Sequence, residues 1–567
     1  MSIHRLKIVS YLKDLWTTES LNFASIKTII FYIFFGQLVI FLAFQGVKNH
    51  CFWDDEAETA MIAKNLLATG YLTGWDGRHL CTYRNGSLID GNFRPKNPPA
   101  MYLAAAASFR VLGCTTVAGR FPFVIFGLGA LCVVFWLLRA DYPAFPVFVR
   151  YSVALTALST SYLLYIRQCR YYSLCIFFSL LALAFHRASL RNPRWAALAG
   201  LGASLTALFF SHYLIMICFS CALIADHLIF HARRWTRKDY LRAARACLFL
   251  LPAAWFSLLF KVWIRPDMSG GTAAPVQILT RICLNFRDFD TFGVLPGIIV
   301  LGGIAYAVRN GKKHAETRPF LEFGLFIAVY IIVLSILSPQ PVKWAQFEKL
   351  ADIRYMVALI PLGAICTGAV LSVIHKKMKL LAFFLFCIIT CTNLLCLRFI
   401  NPQPRLLLPA YAYEITHNYK TSYDVVIDFL SEHMSFTNDT IVCTPEYCQL
   451  PIQFYCGDFL RIGGLLDEKT SLPISKVRAL PAPLFQDSYF PTWIIAFGWS
   501  NAMMEKVSYF SRGKYKYVGG PPMRLPVFSD DMTRPELPWH KFTKTDNVSV
   551  ENEIHFFRRV TLPAKRE

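Results

Sequence analysis

The sequence predicts a polytopic α-helical membrane protein that ends in a separate, water-soluble α/β domain. Of its 567 residues, 55% are hydrophobic and 15% are aromatic, a composition typical of membrane proteins. The apolar residues are gathered into long runs, and clusters of basic residues separate these runs. From about Asn401 onward the hydrophobic density falls and prolines become more frequent, which marks the start of the soluble part.

The apolar runs predict about eleven transmembrane helices. The first run begins near Ile26 and is long enough to span a bilayer, so we expect a signal anchor rather than a cleaved signal peptide. Basic clusters fall at alternate loops, which by the positive-inside rule puts the N-terminus in the cytoplasm. An odd number of spans then puts the C-terminal domain outside. The predicted spans cover residues 26–47, 120–138, 147–166, 171–186, 195–211, 213–230, 246–263, 291–308, 319–337, 355–374 and 380–398.

The chain carries a formal net charge of +22, from 58 basic and 36 acidic residues. In a soluble protein such an excess would suggest nucleic-acid binding. Here the excess lies mainly between apolar spans, where it is explained by membrane topology. We therefore predict no nucleic-acid partner.

Two domains are predicted. A transmembrane domain covers residues 1–400 and includes an outer loop at 48–118, in which Ala57–Thr69 and Pro98–Leu112 are expected to form surface helices. An extracytoplasmic α/β domain covers residues 401–567. Its predicted elements are a helix at Tyr423–His433 and strands at Thr440–Thr444, Thr492–Phe497 and Glu553–Val560.

Six of the 17 cysteines fall on the outer side in this topology, where disulfides are able to form. Cys51 with Cys81 and Cys443 with Cys456 are candidate disulfides, and the sequence does not decide between these and other pairings, because spacing does not determine connectivity.

A short acidic cluster, Trp53-Asp54-Asp55-Glu56, follows the first span. Carboxylates at a membrane edge suggest a function, although acids are also favoured in the first turn of a helix. We interpret Asp54 as structural, and Asp55 with Glu56 as candidate functional groups.

Several cations are predicted on the same outer side as these acids. Because Arg donates hydrogen bonds in a fork, such a set suits a phosphate, although each cation alone would be explained as an interfacial anchor. The imidazole of His212, which is able to titrate near neutral pH, is predicted at the same depth in the membrane as these cations. The residues are Lys96 in a proline-stiffened turn, Arg167 and Arg170 between two spans, Arg354 with Tyr355, and His212.

The order of these features resembles the membrane-embedded GT-C glycosyltransferases, in particular the group of the protein O-mannosyltransferases and the lipid A aminoarabinose transferase. The similarity covers most of the chain. One departure is that the basic turn has an Asn where the aminoarabinose transferase pattern has its Lys, and lacks that pattern's acid, which puts a metal site relying on the acid in doubt. The matching motifs are Asp55-Glu56-Ala57 with Gly70 downstream, Lys96-Asn97-Pro98-Pro99, Gly119-Arg120-Phe121-Pro122, Arg170-Tyr171, His212 and Arg354-Tyr355.

The resemblance implies an inverting enzyme that transfers a sugar from a polyprenyl-phosphate donor to a lipid, glycan or protein acceptor on the outer face of the membrane. Such chemistry requires a carboxylate base and cations that stabilise the leaving phosphate. We assign the base to Asp55, with Glu56 orienting either Asp55 or the acceptor. The phosphate set is Lys96, Arg167, Arg170, Arg354 and Tyr355, with His212 lining the site.

The resemblance also implies a location in a bacterial inner (plasma) membrane, surrounded by membrane lipids. It leaves open whether a divalent metal assists, and no other cofactor is implied. The alternative function is a transporter or flippase of an anionic lipid or sugar phosphate. A non-catalytic assembly subunit with the same fold is the third interpretation.

Overall fold

The chain is predominantly helical in the computed structural model. The helices up to residue 391 form a bundle, and the C-terminal part that follows contains a mixed sheet. The structure describes residues 26–76, 79–81, 89, 93–192, 194–232, 235–260, 274–291, 295–310, 318–338, 353–397, 403–418, 420–433, 440–457, 461–462, 490–498, 504, 507–508, 510–511, 515–524, 535, 540, 542 and 553–562.

Between Ala100 and Asp226 the bundle helices follow one another with short connections. A π-helical turn at His227–His231 extends α9, and 3-10 turns at Cys247–Leu250 and Ile353–Leu359 precede α11 and α15. The helices are α1 (Ile26–Phe44), α2 (Asp54–Thr69), α3 (Ala100–Leu112), α4 (Thr116–Asp141), α5 (Pro146–Leu158), α6 (Thr160–Ile166), α7 (Tyr172–Arg191), α8 (Trp195–Ser211), α9 (Tyr213–Asp226), α10 (Arg237–Ala246), α11 (Leu251–Phe260), α12 (Pro275–Thr291), α13 (Gly297–Asn310), α14 (Arg318–Leu337), α15 (Ile360–Lys377) and α16 (Lys379–Cys391).

Within the described residues, six helices are long and apolar enough to cross a membrane, and the bent pair α5 and α6 also meets this test when the two helices are taken together. The two helices of this pair meet at an angle of 56°, at Ser159. Shorter apolar helices, among them α8 and α16, occupy other predicted spans. The chain is therefore an integral membrane protein, and the predicted polytopic fold is confirmed.

Helices in the bundle approach one another closely at glycines. A Cβ added to Gly127 of α4 would lie 2.6 Å from the Cβ of Ile166, and one added to Gly368 of α15 would lie 2.3 Å from Oγ of Ser152. Small residues at such contacts let backbones pack tightly where no hydrophobic force drives helices together.

Helix α2 lies inside the protein. It ends as expected at Gly70, whose φ of 77° is left-handed and whose N–H bonds the carbonyl of Leu66. Ten of its sixteen residues are buried, so most of the helix packs against other parts of the chain, and its expected position on the membrane surface stays a prediction. The helix α19 (Gln449–Cys456) of the C-terminal part covers it.

The C-terminal part contains a mixed sheet, as predicted, although the domain boundary at residue 400 stays a prediction. Strand β1 (Thr440–Thr444) pairs in parallel with β2 (Arg461–Ile462) and β3 (Trp493–Phe497). Strand β6 (Glu553–Thr561) pairs antiparallel with β3, β4 (Tyr515–Gly519) and β5 (Met523–Arg524). The apolar runs of β1 and β3 are buried, as expected of central strands. The elements are α17 (Leu408–Thr416), α18 (Ser422–His433), β1 (Thr440–Thr444), α19, β2 (Arg461–Ile462), β3 (Trp493–Phe497), β4 (Tyr515–Gly519), β5 (Met523–Arg524) and β6 (Glu553–Thr561).

The C-terminal part binds the segment that precedes α2. Asp424 of α18 accepts hydrogen bonds from the backbone N–H and the thiol of Cys51, at 3.1 and 2.8 Å. The Tyr455 hydroxyl of α19 accepts one from the N–H of Phe52 at 3.0 Å. Burial raises the pKa of the Cys51 thiol, so it stays protonated and able to donate.

All six cysteines predicted to lie outside are free thiols, so neither candidate disulfide is formed, and Cys51 contacts Asp424 instead.

A buried ion-pair network joins four helices at the end of the bundle opposite α2. Arg187 of α7 donates to Asp226 of α9 at 3.0 Å and to Glu322 of α14 at 2.8 Å. Glu322 also accepts from Tyr142 at 2.8 Å, and His186 lies 3.0 Å from Asp226. Charges in a bundle interior must be paired, so this network fixes the relative positions of the helices.

We predict that Arg187→Met lowers the free energy of unfolding by about 3–5 kcal/mol, because two buried carboxylates lose their cation. The measurement is the apparent melting temperature of the purified protein in detergent. Arg242→Gln is the control, because Arg242 forms a half-exposed pair with Asp239 that water screens. Equal melting temperatures for the two variants would contradict the prediction.

Candidate active site

The candidate site is built around Asp55, in the first turn of α2. Its Oδ2 accepts a hydrogen bond from Nη1 of Arg354 at 2.9 Å, and its Oδ1 lies 3.6 Å from Nη2 of Arg170. Only 6% of Asp55 is exposed. Three of the residues predicted from sequence, from three distant parts of the chain, therefore meet at one carboxylate.

Arg170 is buried beside two acids. Burial opposes the charge of its guanidinium, but the charges of Asp55 and Glu58 outweigh this effect and raise the Arg170 pKa above its ordinary value. Arg354 is more accessible, with 34% of its side chain exposed. The site thus has one fixed cation and one that is able to reach a ligand.

Glu56 points away from this pair and is fully buried. Arg120 holds its carboxylate in a two-bonded fork, at 2.8 and 2.6 Å, and the N–H of Cys169 donates to it at 2.7 Å. The same guanidinium donates to the backbone carbonyls of Val47 and Asn49. The Glu56–Arg120 pair therefore fastens the segment before α2 to the start of α4.

Glu58 is a site acid that the sequence interpretation missed. Its carboxylate accepts from Nη1 of Arg170 at 2.7 Å, from Nδ2 of Asn97 at 3.0 Å and from the hydroxyl of Tyr102 at 3.1 Å. The available signal was helical spacing, since residues three apart share a face of a helix. Asp55 and Glu58 stand in that relation.

The turn that carries Lys96 lies against α2. Asn97 donates to Glu58 and ties the turn to the helix, while the prolines that follow lead into α3. Lys96 itself is half-buried. The structure therefore brings the predicted basic turn to the same helix as Asp55.

An aromatic group lies beside the cations. The ring of His212 packs 4.6 Å from that of Tyr171 and 5.1 Å from that of Tyr355, centroid to centroid. The Tyr330 hydroxyl donates to the carbonyl of Tyr355 at 2.5 Å. His212 also caps α9 by accepting from the N–H of Ile215 at 3.4 Å.

Arg167 faces a different direction from Arg170. Its guanidinium donates to the hydroxyl of Tyr411 and to the carbonyl of Gln45, both at 2.8 Å. It lines a small cavity with His50 and His540. The structure thus separates the two arginines that the sequence grouped together.

Asp54 accepts a hydrogen bond from the Tyr423 hydroxyl of α18. It does not cap the helix with its side chain, since α2 begins at Asp54 itself. Asp54 thus contributes to the contact with the C-terminal part.

Among the residues that the structure describes, no three His, Cys, Asp or Glu side chains form a group that could hold a metal ion.

No protein-family model and no curated protein matches the sequence. Two solved structures of ArnT from Cupriavidus metallidurans match the fold. The structure bound to undecaprenyl phosphate has a TM-score of 0.51 and 15% identity, and covers 86% of this chain and 95% of that one. The apo structure has a TM-score of 0.50 and 14% identity, with the same coverage. The chain therefore has the GT-C-type membrane fold of ArnT, the lipid A aminoarabinose transferase, which confirms the resemblance identified in its sequence.

Proposed function

We propose that the protein transfers a sugar from a polyprenyl-phosphate donor to an acceptor hydroxyl, with Asp55 as the general base. The observation that carries the proposal is the buried Asp55 carboxylate between Arg354 at 2.9 Å and Arg170 at 3.6 Å. A base beside cations supplies both groups that the reaction needs. The solved structure of ArnT with undecaprenyl phosphate, on the same fold, supports a lipid-phosphate partner.

The proposed reaction is a single displacement. The acceptor hydroxyl loses its proton to Asp55 as its oxygen attacks the anomeric carbon of the sugar. The bond from that carbon to the phosphate oxygen breaks, and the polyprenyl phosphate leaves with the electron pair. This displacement inverts the anomeric centre.

The cations respond to the charge that develops in this step. A sugar-linked polyprenyl phosphate carries one negative charge, and the departing phosphate gains a second. We assign phosphate binding to Arg354, because its side chain is partly exposed, and Arg170 and Lys96 add to the positive field. Tyr355 and His212 form the adjoining aromatic wall. Arg167 donates to Tyr411 and is assigned to the edge of the phosphate-binding group.

Glu56 acts indirectly in this proposal, because its pair with Arg120 holds the first turn of α2, which carries Asp55. Its two oxygens already accept from Arg120 and from the N–H of Cys169, and it is fully buried. A proton transfer by Glu56 would break this pair.

We further propose that the site faces the outer side of a bacterial inner membrane, with the N-terminus in the cytoplasm. The basic run His375-Lys376-Lys377 ends α15 at the end of the bundle opposite the site, in keeping with the positive-inside rule. Lipid, glycan and protein acceptors stay open.

We expect Asp55→Asn to bind undecaprenyl phosphate like the wild type but to lose transfer by about 10²–10⁴-fold, because the base is removed. Transfer is measured in lipid nanodiscs with labelled polyprenyl-phosphate sugars and lipid, glycan and peptide acceptors. Asp54→Asn is the matched control, since it keeps an acceptor for Tyr423 and should retain transfer. Full transfer by Asp55→Asn would remove Asp55 from the mechanism, and lipid movement without transfer would favour a flippase.

Arg354→Gln should raise the KM for the donor by about 10–100-fold, as expected when a hydrogen bond to a charged group worth about 1.5–3 kcal/mol is lost. Arg354→Lys keeps the charge and should recover part of the loss. The measurement is initial transfer rate against donor concentration. An unchanged KM in both variants would place the phosphate elsewhere.

Glu56→Gln should mainly destabilise the protein, by about 3–5 kcal/mol, because Arg120 keeps a buried charge without its partner. Thermal unfolding in detergent checks this, with Asp55→Asn as the comparison, since the Arg354 partner of Asp55 is able to reach solvent. A Glu56→Gln protein that melts like the wild type and yet lacks transfer would instead give Glu56 a direct chemical role.

A further inference from the structure

Glu58 is a buried acid that the proposed reaction does not use. It is 1% exposed, and it lies on the same face of α2 as Asp55, which precedes it by about one turn. Three side chains from two other segments donate to it: Arg170, Asn97 and Tyr102. One carboxylate therefore joins α2, the Lys96 turn with α3, and the link between α6 and α7.

The position of Arg170 depends on this carboxylate. Its Nη1 donates to Glu58 at 2.7 Å, to the backbone carbonyl of Asp55 at 3.0 Å and to the hydroxyl of Thr59 at 3.1 Å. Its Nη2 lies 3.6 Å from Oδ1 of Asp55, beyond a normal hydrogen bond. Glu58 thus receives the short hydrogen bond of Arg170, and the carboxylate of Asp55 the longer contact.

We propose that Glu58 is a positioning residue for transfer: it holds Arg170 back from Asp55, so that this carboxylate keeps its basicity, and through Asn97 it anchors the turn that presents Lys96. The proposal rests on the function proposed above. It assigns to Glu58 a role in the basicity of Asp55 and in the placement of the phosphate cations, without contact with the reacting atoms.

The charges around Asp55 determine the direction of the expected effect. Arg354 and Arg170 face it directly; Tyr171 and Tyr172 are near Arg170, and His212 lies against Tyr171. The negative charge of Glu58 disfavours ionisation of Asp55 and engages Arg170. Both effects oppose the ionisation of Asp55, so neutralising Glu58 should make this carboxylate easier to ionise.

The first test titrates Asp55 without relying on transfer. The full chain in nanodiscs is treated with a carbodiimide, which modifies protonated carboxyls, and labelling of Asp55 is followed by mass spectrometry against pH. Glu58→Gln should move the midpoint down by about one pH unit, and Glu58→Asp, which keeps the charge, should restore it. Glu432→Gln removes an exposed carboxylate of α18 and is the matched control. An unchanged midpoint in Glu58→Gln would overturn the effect on Asp55.

The second test concerns the anchored turn and does not depend on the folding of Glu58→Gln. Asn97→Ala removes the hydrogen bond to Glu58 and leaves its charge. Binding of undecaprenyl phosphate should weaken by about tenfold, as for loss of one bond to a charged group, with the Asp55 midpoint unchanged. Undiminished binding would overturn the anchoring role.

These outcomes are separable from the fate of the proposed function. Transfer retained by Asp55→Asn would refute Asp55 as the base even if the titration midpoint shifts. An unshifted midpoint together with loss of transfer in Asp55→Asn would refute only the role of Glu58. In the transfer assay, Glu58→Gln should lower kcat and move the acid limb of the pH profile in the same direction as the labelling midpoint, because a weaker base ionises at lower pH.

Discussion

The rest of the site depends on the burial of three carboxylates in the first two turns of α2. An ionised acid removed from water is strongly destabilising unless a cation and further hydrogen bonds compensate it. Asp55 meets Arg354 and Arg170, Glu56 meets Arg120, and Glu58 shares Arg170. Each pair joins α2 to another segment of the chain, so the position of this helix is determined by its charges as much as by its apolar residues.

These ion pairs differ in their exposure to solvent, and this difference indicates that they have different roles. Arg120 is enclosed by Glu56 and by backbone carbonyls, so its bonds are all internal. Arg354 has a third of its side chain exposed and donates a hydrogen bond to Asp55. The Glu56–Arg120 pair is suited to holding the structure together, and the Asp55–Arg354 pair is suited to binding a ligand in place of its present partner. The C-terminal part also helps to hold this structure, because Asp424 and Tyr455 accept hydrogen bonds from the segment that leads into α2.

Much of this organisation was predictable because it follows from local sequence. The apolar runs, the left-handed stop at Gly70 and the strands at Thr440 and Glu553 each depend on a few neighbouring residues. The partners of α2 were harder to predict. Its apolar residues show that the helix has to be covered, but they do not show that α19, almost 400 residues later, is one of the helices that pack against it.

The sequence by itself determined the class of the protein, the order of its helices and the presence of acids and cations near the ends of spans, because hydropathy and charge act over short stretches of chain. Only the tertiary structure decided which cation faces which acid. It turned Arg167 toward Tyr411 and Arg170 toward Asp55, and it engaged Glu56 with Arg120. Side-chain direction depends on the packing of helices that are distant in sequence, and a one-residue change of position rotates a side chain by about 100° around a helix.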